Sequence, residues 1–281
     1  MLTKLRHYVR RALRFSPGVY PWAKRWYGAA MFALRIPHDS VFAVFQNFTA
    51  KDALIADIGA NSGQSVRSIR LFSETAAIIS FEPNRLLEPD LKFTAGLVGR
   101  GFSYQLIGIG KEQATAALYV PNTCGLLHTP WATTDSEELE LHREQIANDI
   151  GADFNVQSLP IQIVPFDELN LRPDAAKIDV EGLELDVLTG MAETLRACEP
   201  LLLLEHNAGT PAVCEFLANF GYVPYEYLAD ENAIADFTTI ASEHTSFVAM
   251  TSGRMQSLIA AGMKLHATVS HKIAALTEQP C

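Results

Sequence analysis

The chain has 281 residues, 48% of them hydrophobic, and a formal net charge of −10. That length and apolar content can bury a sizeable core, and favour one large α/β domain with additions over two small domains. Residues 1–38 carry eight Lys or Arg and no acid, leaving 14 bases against 32 acids in the remainder; such an acidic body repels a phosphate backbone, so nucleic acid is excluded as the expected partner.

At the start, Leu2, Leu5, Val9 and Leu13 recur at helical spacing, with Lys4, Arg6, Arg10, Arg11 and Arg14 on the opposite side. Residues 1–14 are therefore expected to form a basic amphipathic helix that ends at Ser16-Pro17-Gly18. Two readings fit it: an accessory helix packed on the main domain, or a peripheral contact with an anionic membrane. The apolar run 27–34 falls far short of the roughly 20 residues a spanning helix needs. Cys124, Cys198, Cys214 and Cys281 form no C-x-x-C pair and no cluster with His, which argues against a zinc site or disulfide framework and for a reducing cytoplasm.

From residue 53 onward, short apolar runs alternate with helical patterns, as in a parallel sheet flanked by helices. Strands are expected over 54–58, 77–81 and 104–109, with helices over 64–72 and 86–98. A β addition follows at 116–120. Residues 122–160 read as an irregular insertion or lid with an acid-rich helix around 137–150. Buried strands at 176–180 and 201–205 are separated by a helix over 185–195, and strands at 222–228 and 246–250 complete a seven-stranded, mostly parallel Rossmann-like sheet. A helix over 255–276 closes the chain. The expected organisation is thus a helical extension (1–50), a main domain (51–252) and a packed C-terminal helix (253–281).

In an open parallel sheet the ligand lies beyond the carboxyl ends of the strands at the switch point. Asp57-Ile58-Gly59-Ala60-Asn61-Ser62-Gly63 follows the first strand and Phe81-Glu82-Pro83-Asn84 the second. Gly59 and Gly63 permit a tight turn into a helix and close backbone approach to a ligand. Glu82, 25 residues after Asp57, is placed to accept both hydroxyls of a ribose. Asp57 could equally cap the following helix, and Glu82 be a solvated strand end. A nicotinamide site usually reads G-x-G-x-x-G, whereas the spacing here is G-x-x-x-G. Tyr20 and Lys24 form a Tyr-x-x-x-Lys pair, but it precedes the first strand and contains Pro21. An acid opening the turn disfavours a pyrophosphate and suits a sulfonium nucleoside with a cationic amine, as in S-adenosylmethionine.

Together with Lys177-Ile178-Asp179-Val180-Glu181-Gly182-Leu183-Glu184 and the run Leu201–Glu205, these segments resemble the FkbM family of methyltransferases over about residues 55–207. The resemblance implies a Rossmann-like methyltransferase fold, S-adenosylmethionine as donor, and O-methylation of a hydroxyl on a sugar, glycolipid or natural product. On matching positions it implies Asp57, Gly59, Asn61, Gly63, Glu82 and Asn84 around the cofactor, and Asp179 and Glu181 beside the transferred methyl group. Residues 1–50 and 122–160 carry no recognisable motif.

At the end of the fifth strand, Glu205-His206-Asn207 offers two further chemistries. With Asp179, the acid and amide resemble the ligand set of metal-dependent catechol-type O-methyltransferases, where oxygen donors suit Mg²⁺. Alternatively Glu205 caps a helix or neighbours the cofactor and His206 is a loop histidine; base assistance to the transfer is expected from Asp179 or His206. Gly125-Leu126-Leu127-His128 and Trp131 are candidates for the acceptor pocket. The competing function is a scaffold protein of a membrane-associated glycan synthesis complex that keeps the fold without the chemistry.

Overall fold

The computed structural model describes residues 19–123, 126–150, 152–237 and 246–266. In chain order the strands are β1 (Leu54–Ile58), β2 (Ala77–Phe81), β3 (Phe102–Gln105), β4 (Gly108–Ile109), β5 (Ala114–Thr123), β6 (Leu126–Leu127), β7 (Asn155–Val164), β8 (Ala175–Ile178), β9 (Leu201–Glu205), β10 (Tyr222–Leu228), β11 (Ala233–Asp236), β12 (Ser246–Thr251) and β13 (Lys264–Leu265). They form two sheets, one of nine strands in the order β13-β11-β10-β12-β9-β8-β1-β2-β3 and one of four in the order β4-β7-β5-β6.

The large sheet is parallel from β9 to β3, and β12 runs antiparallel to both β9 and β10. Its middle strands are apolar on both faces because helices cover both. Along β9, Leu201 and Leu203 enter the core on one side while Leu202 and Leu204 enter the core on the other, the period-two alternation of a doubly covered strand. The chain winds outward from β1 to β3, crosses through the small sheet, and returns as β8 on the other side of β1. That reversal is the switch point where a doubly wound sheet opens a crevice.

Several expectations are corrected. The sheet has nine strands instead of seven, because β11 and β13 extend its edge beyond β10. The single third strand expected over 104–109 divides into β3 and β4, and β4 leaves for the second sheet by pairing with β7. Gly110 follows it, where a Cβ would lie only 2.7 Å from the Ile163 side chain. Residues 122–160 are less irregular than expected: β5 and β7 pair from Ala114↔Ile163 to Asn122↔Asn155, and the helices Ser136–Leu141 and Arg143–Ile150 lie between these strands. The helix expected over 185–195 is two helices, Glu184–Thr189 and Ala192–Cys198. At the break, a Cβ on Gly190 would fall 1.9 Å from the Gly110 carbonyl oxygen, so a close backbone crossing interrupts the helix. The last described helix, Ser252–Ala260, stops well before residue 276; Gly262 takes φ +110° and the chain turns back as β13. The helix expected over 1–14 lies outside the described residues.

Residues before β1 contribute to the main core. Asp39 caps the 3-10 helix Ser40–Asn47 by accepting the Val41 N–H at 2.9 Å, and this helix buries Phe42, Ala43, Val44 and Phe45 among residues of β1, β9 and β12. Phe45→Ala is expected to cost about 3–5 kcal/mol through transfer and cavity terms. Urea unfolding should show that loss in a single transition, whereas a change near zero would make residues 19–50 a detachable extension.

Candidate active site

The turn after β1 closes directly on the end of β8. Gly59 has φ +81°, and a Cβ there would sit 1.8 Å from the Asp179 carbonyl oxygen, so only glycine allows the two strand ends to meet. Asn61 also takes a positive φ, +47°. Lys177, on β8, reaches back beneath this turn and is almost wholly buried. Its Nζ donates to the Gly59 carbonyl at 2.5 Å and the Ile58 carbonyl at 3.3 Å, and stands 3.6 Å from Asp57 Oδ1 and 3.3 Å from Asp179 Oδ2. A buried ammonium requires such partners, because an unpaired charge is strongly disfavoured away from water.

Asp57 belongs to this buried network and not to the cavity wall. Its Oδ2 accepts hydrogen bonds from Ser65 Oγ at 3.0 Å and Ser80 Oγ at 2.7 Å. Oδ1 has no hydrogen bond, with Lys177 as its nearby cation. Gly63 likewise stands off the cavity, packed so that a Cβ would meet Thr94 Oγ1 at 2.7 Å. Asp57 and Gly63 support the turn from behind.

Gly59, Asn61, Glu82 and Asn84 do line a cavity of about 810 Å³ at the carboxyl ends of β1, β2, β8 and β9. Glu82 is buried at the tip of β2, where Oε2 accepts the Asn61 N–H at 2.7 Å and Oε1 the Asn84 N–H at 2.9 Å. Burial pushes its carboxyl above the usual range, opposed by those two hydrogen bonds. A carboxylate has about four lone-pair sites, so both oxygens can accept further hydrogen bonds. Asn84 Oδ1 caps the Leu86 N–H at 3.1 Å, while its Nδ2 is buried without a partner. An acceptor pair beside an orphaned amide donor fits the hydroxyl and nitrogen pattern of a nucleoside.

On the same inner wall, Asp179, Glu181 and Glu205 line the cavity at the ends of β8 and β9. Glu181 takes φ +54°. Its carboxyl is pushed up to about 7 by desolvation first, and then by the charges of Glu205, Asp179 and Glu184. Although solvent reaches Glu181 through the cavity, the surrounding acids make a further negative charge unfavourable. Burial and Asp179 raise Glu205 in the same direction. Glu184, buried behind them, accepts N–H groups of Val180 and Gly182 at 3.3 and 3.1 Å and the Asn207 amide at 3.0 Å.

His206 does not face the cavity; its ring packs edge-on against Phe237 with centroids 5.7 Å apart. Asn207 is not a free oxygen donor, since its Oδ1 accepts the Gly209 N–H at 2.9 Å and its amide nitrogen faces Glu184 and Glu205. Among the described residues no group of three or more His, Cys, Asp or Glu is placed to hold a metal ion.

The second sheet and its helices supply the outer wall, with Leu118, Trp131, Leu139, Ile146, Ile161 and Ile163. Trp131 lines the cavity as expected for the acceptor side, whereas Leu126, Leu127 and His128 do not; Gly125 lies outside the described residues. Two histidines without a motif also line it, His38 and His142. The His38 backbone N–H is fixed to Ser68 Oγ at 2.8 Å, and burial holds its imidazole below the usual value. Their only signal is tertiary, because they come from segments distant in sequence.

Lys177→Met is expected to lower stability by about 3–5 kcal/mol, the magnitude for leaving a buried charge uncompensated. Asp57→Asn combined with Lys177→Met should recover part of that loss in urea unfolding. A single Lys177→Met with wild-type stability would contradict the network.

A family model, the methyltransferase FkbM domain, matches residues 57–224. Among solved structures, an FkbM methyltransferase from Methylobacillus flagellatus KT aligns at a TM-score of 0.46 and 12% identity, covering 81% of this chain and 59% of that one. A precorrin-6y C5,15-methyltransferase from Geobacter metallireducens GS-15 aligns at 0.39 and 12% identity over 75% of this chain and 86% of that one. A putative methyltransferase from Streptococcus mutans, solved in complex with SAH, aligns at 0.40 and 9% identity over 74% and 93%. The chain thus spans about three fifths of the length of the solved FkbM enzyme. No curated protein matches the sequence. With the family model covering more than half of the chain, the protein belongs to the FkbM methyltransferase domain family.

Proposed function

We propose that the chain is an S-adenosylmethionine-dependent O-methyltransferase whose acceptor is a hydroxyl of a sugar, glycolipid or natural product. The observation that carries this reading is that Gly59, Asn61, Glu82 and Asn84 share one cavity with Asp179, Glu181 and Glu205. Nucleoside-type donors and acceptors stand beside a carboxylate cluster, within a volume in the upper range of small-molecule pockets. When bound, S-adenosylmethionine supplies an electrophilic methyl group on a sulfonium.

Glu82 and Asn84 hold the nucleoside, and Asp179 favours the cationic end of the ligand by charge. The acceptor enters against Trp131 and the apolar side chains of the second sheet, where an aromatic face can stack on a sugar ring. Glu181 takes the acceptor's hydroxyl proton as that oxygen is methylated. A carboxyl held near 7 is matched to that role at neutral pH, because enough of it is ionised and its conjugate acid is not too strong. The remaining contribution of the protein is alignment.

Glu82→Ala should weaken S-adenosylhomocysteine binding by about tenfold or more in calorimetry, as hydrogen bonds to a charged group are lost. Unaltered affinity would remove Glu82 from the nucleoside site. Transfer of a labelled methyl group to a glycan or lipid extract should rise as pH increases through about 7, since Glu181 must lose its proton to act as a base. Glu181→Gln should abolish that inflection and slow turnover by about 10²–10⁴-fold with S-adenosylhomocysteine affinity retained. A persisting inflection would assign the proton to another group.

A further inference from the structure

The helix Tyr20–Ala33 is held to the domain by Phe32 at the core and by the Trp26 ring, edge-on to Phe93 with centroids 6.0 Å apart, yet leaves much apolar surface uncovered. Its polar attachments face the domain: Arg25 Nε and Lys24 Nζ reach Asp90 at 2.5 and 3.6 Å. Gly28 is buried where a Cβ would lie 2.9 Å from the Arg67 guanidinium. Val19, Trp22 and Trp26 recur at helical spacing and stand 50%, 61% and 54% exposed, and Leu34 and Ile36 continue the apolar surface. The two indoles pack on each other with centroids 5.7 Å apart, which presents them as one aromatic ridge. Exposed apolar groups of this size gathered in one place mark an interaction surface.

We propose that this ridge docks the protein on an anionic lipid bilayer. Tryptophan favours the membrane interface, where its ring meets the acyl boundary while its N–H stays among headgroups. The charge distribution selects the same occupant. Residues 1–18, which lead directly into the helix, carry five bases and no acid. An anionic surface attracts that segment and repels the acidic body, so the ridge turns toward the bilayer. Ile36 precedes the cavity-lining His38 by two residues, which makes the docked surface continuous in sequence with the cavity wall.

The chain has three tryptophans, so a Trp131→Phe background leaves only the two of the ridge. With vesicles of equimolar phosphatidylglycerol and phosphatidylcholine, their emission should shift to the blue, bromine-labelled lipid should quench them, and the protein should co-sediment. Pure phosphatidylcholine or raised salt should weaken co-sedimentation severalfold, and W22S/W26S should lower it tenfold or more. Binding unaffected by W22S/W26S, or unquenched tryptophans in the Trp131→Phe protein, would overturn the proposal. So would a concentration-dependent dimer that W22S/W26S dissociates in the absence of lipid. Because quenching is read on an intact ridge, it decides the question even if W22S/W26S fails to fold.

Discussion

The site depends on one buried cation. Lys177 extends from a strand whose residues are all buried, and its ammonium is partnered by the Ile58 and Gly59 carbonyls, Asp57 and Asp179. These contacts tie the first glycine turn to the end of β8, across the point where the sheet changes direction. Gly59 is the steric counterpart of that electrostatic tie, because any side chain there would strike the Asp179 backbone. Once the turn is held, the Asn61 N–H points at Glu82, and the nucleoside wall takes its shape from backbone geometry. Rigid strand ends suit a site in which alignment does much of the chemistry.

The two walls of the cavity are built differently. The inner wall consists of strand ends whose polar groups are mutually hydrogen-bonded. The outer wall belongs to a separate small sheet and two short helices, with cores of their own. In the proposed function chemistry and acceptor choice fall to different layers, an arrangement that lets one transfer site be combined with different acceptors. The acid cluster has a collective character too. Beyond burial, Glu205 and Asp179 oppose the ionisation of Glu181, and Asp179 opposes that of Glu205, while Glu184 with Asn207 holds the loop beneath them.

Much of the large sheet was legible in the sequence because its central strands are apolar runs buried on both faces and bounded by turn residues. β1, β2 and β9 fall at their expected positions, and Gly59 and Glu82 carry spacing that local chemistry explains. The short strands were not legible: β4, β6 and β13 have two residues each and exist only through their partners. β7 contains Pro160, which weakens a strand reading, yet it pairs along almost its whole length with β5. Asp57 was legible as important but not in its place, since a carboxylate opening a glycine turn reads alike whether it faces a ligand or a buried lysine. His38 and His142 reach the cavity from segments that carry no motif, and His206 is withdrawn from it by packing on Phe237.

The central claim is that the cavity at the ends of β1, β2 and β8 holds S-adenosylmethionine beside a carboxylate base. The most direct measurement is a crystal structure of the S-adenosylhomocysteine complex. It should place the ribose hydroxyls on Glu82, with the ligand sulfur facing the space between Glu181 and Trp131. A ribose bound elsewhere, or a sulfur directed away from Asp179 and Glu181, would contradict it.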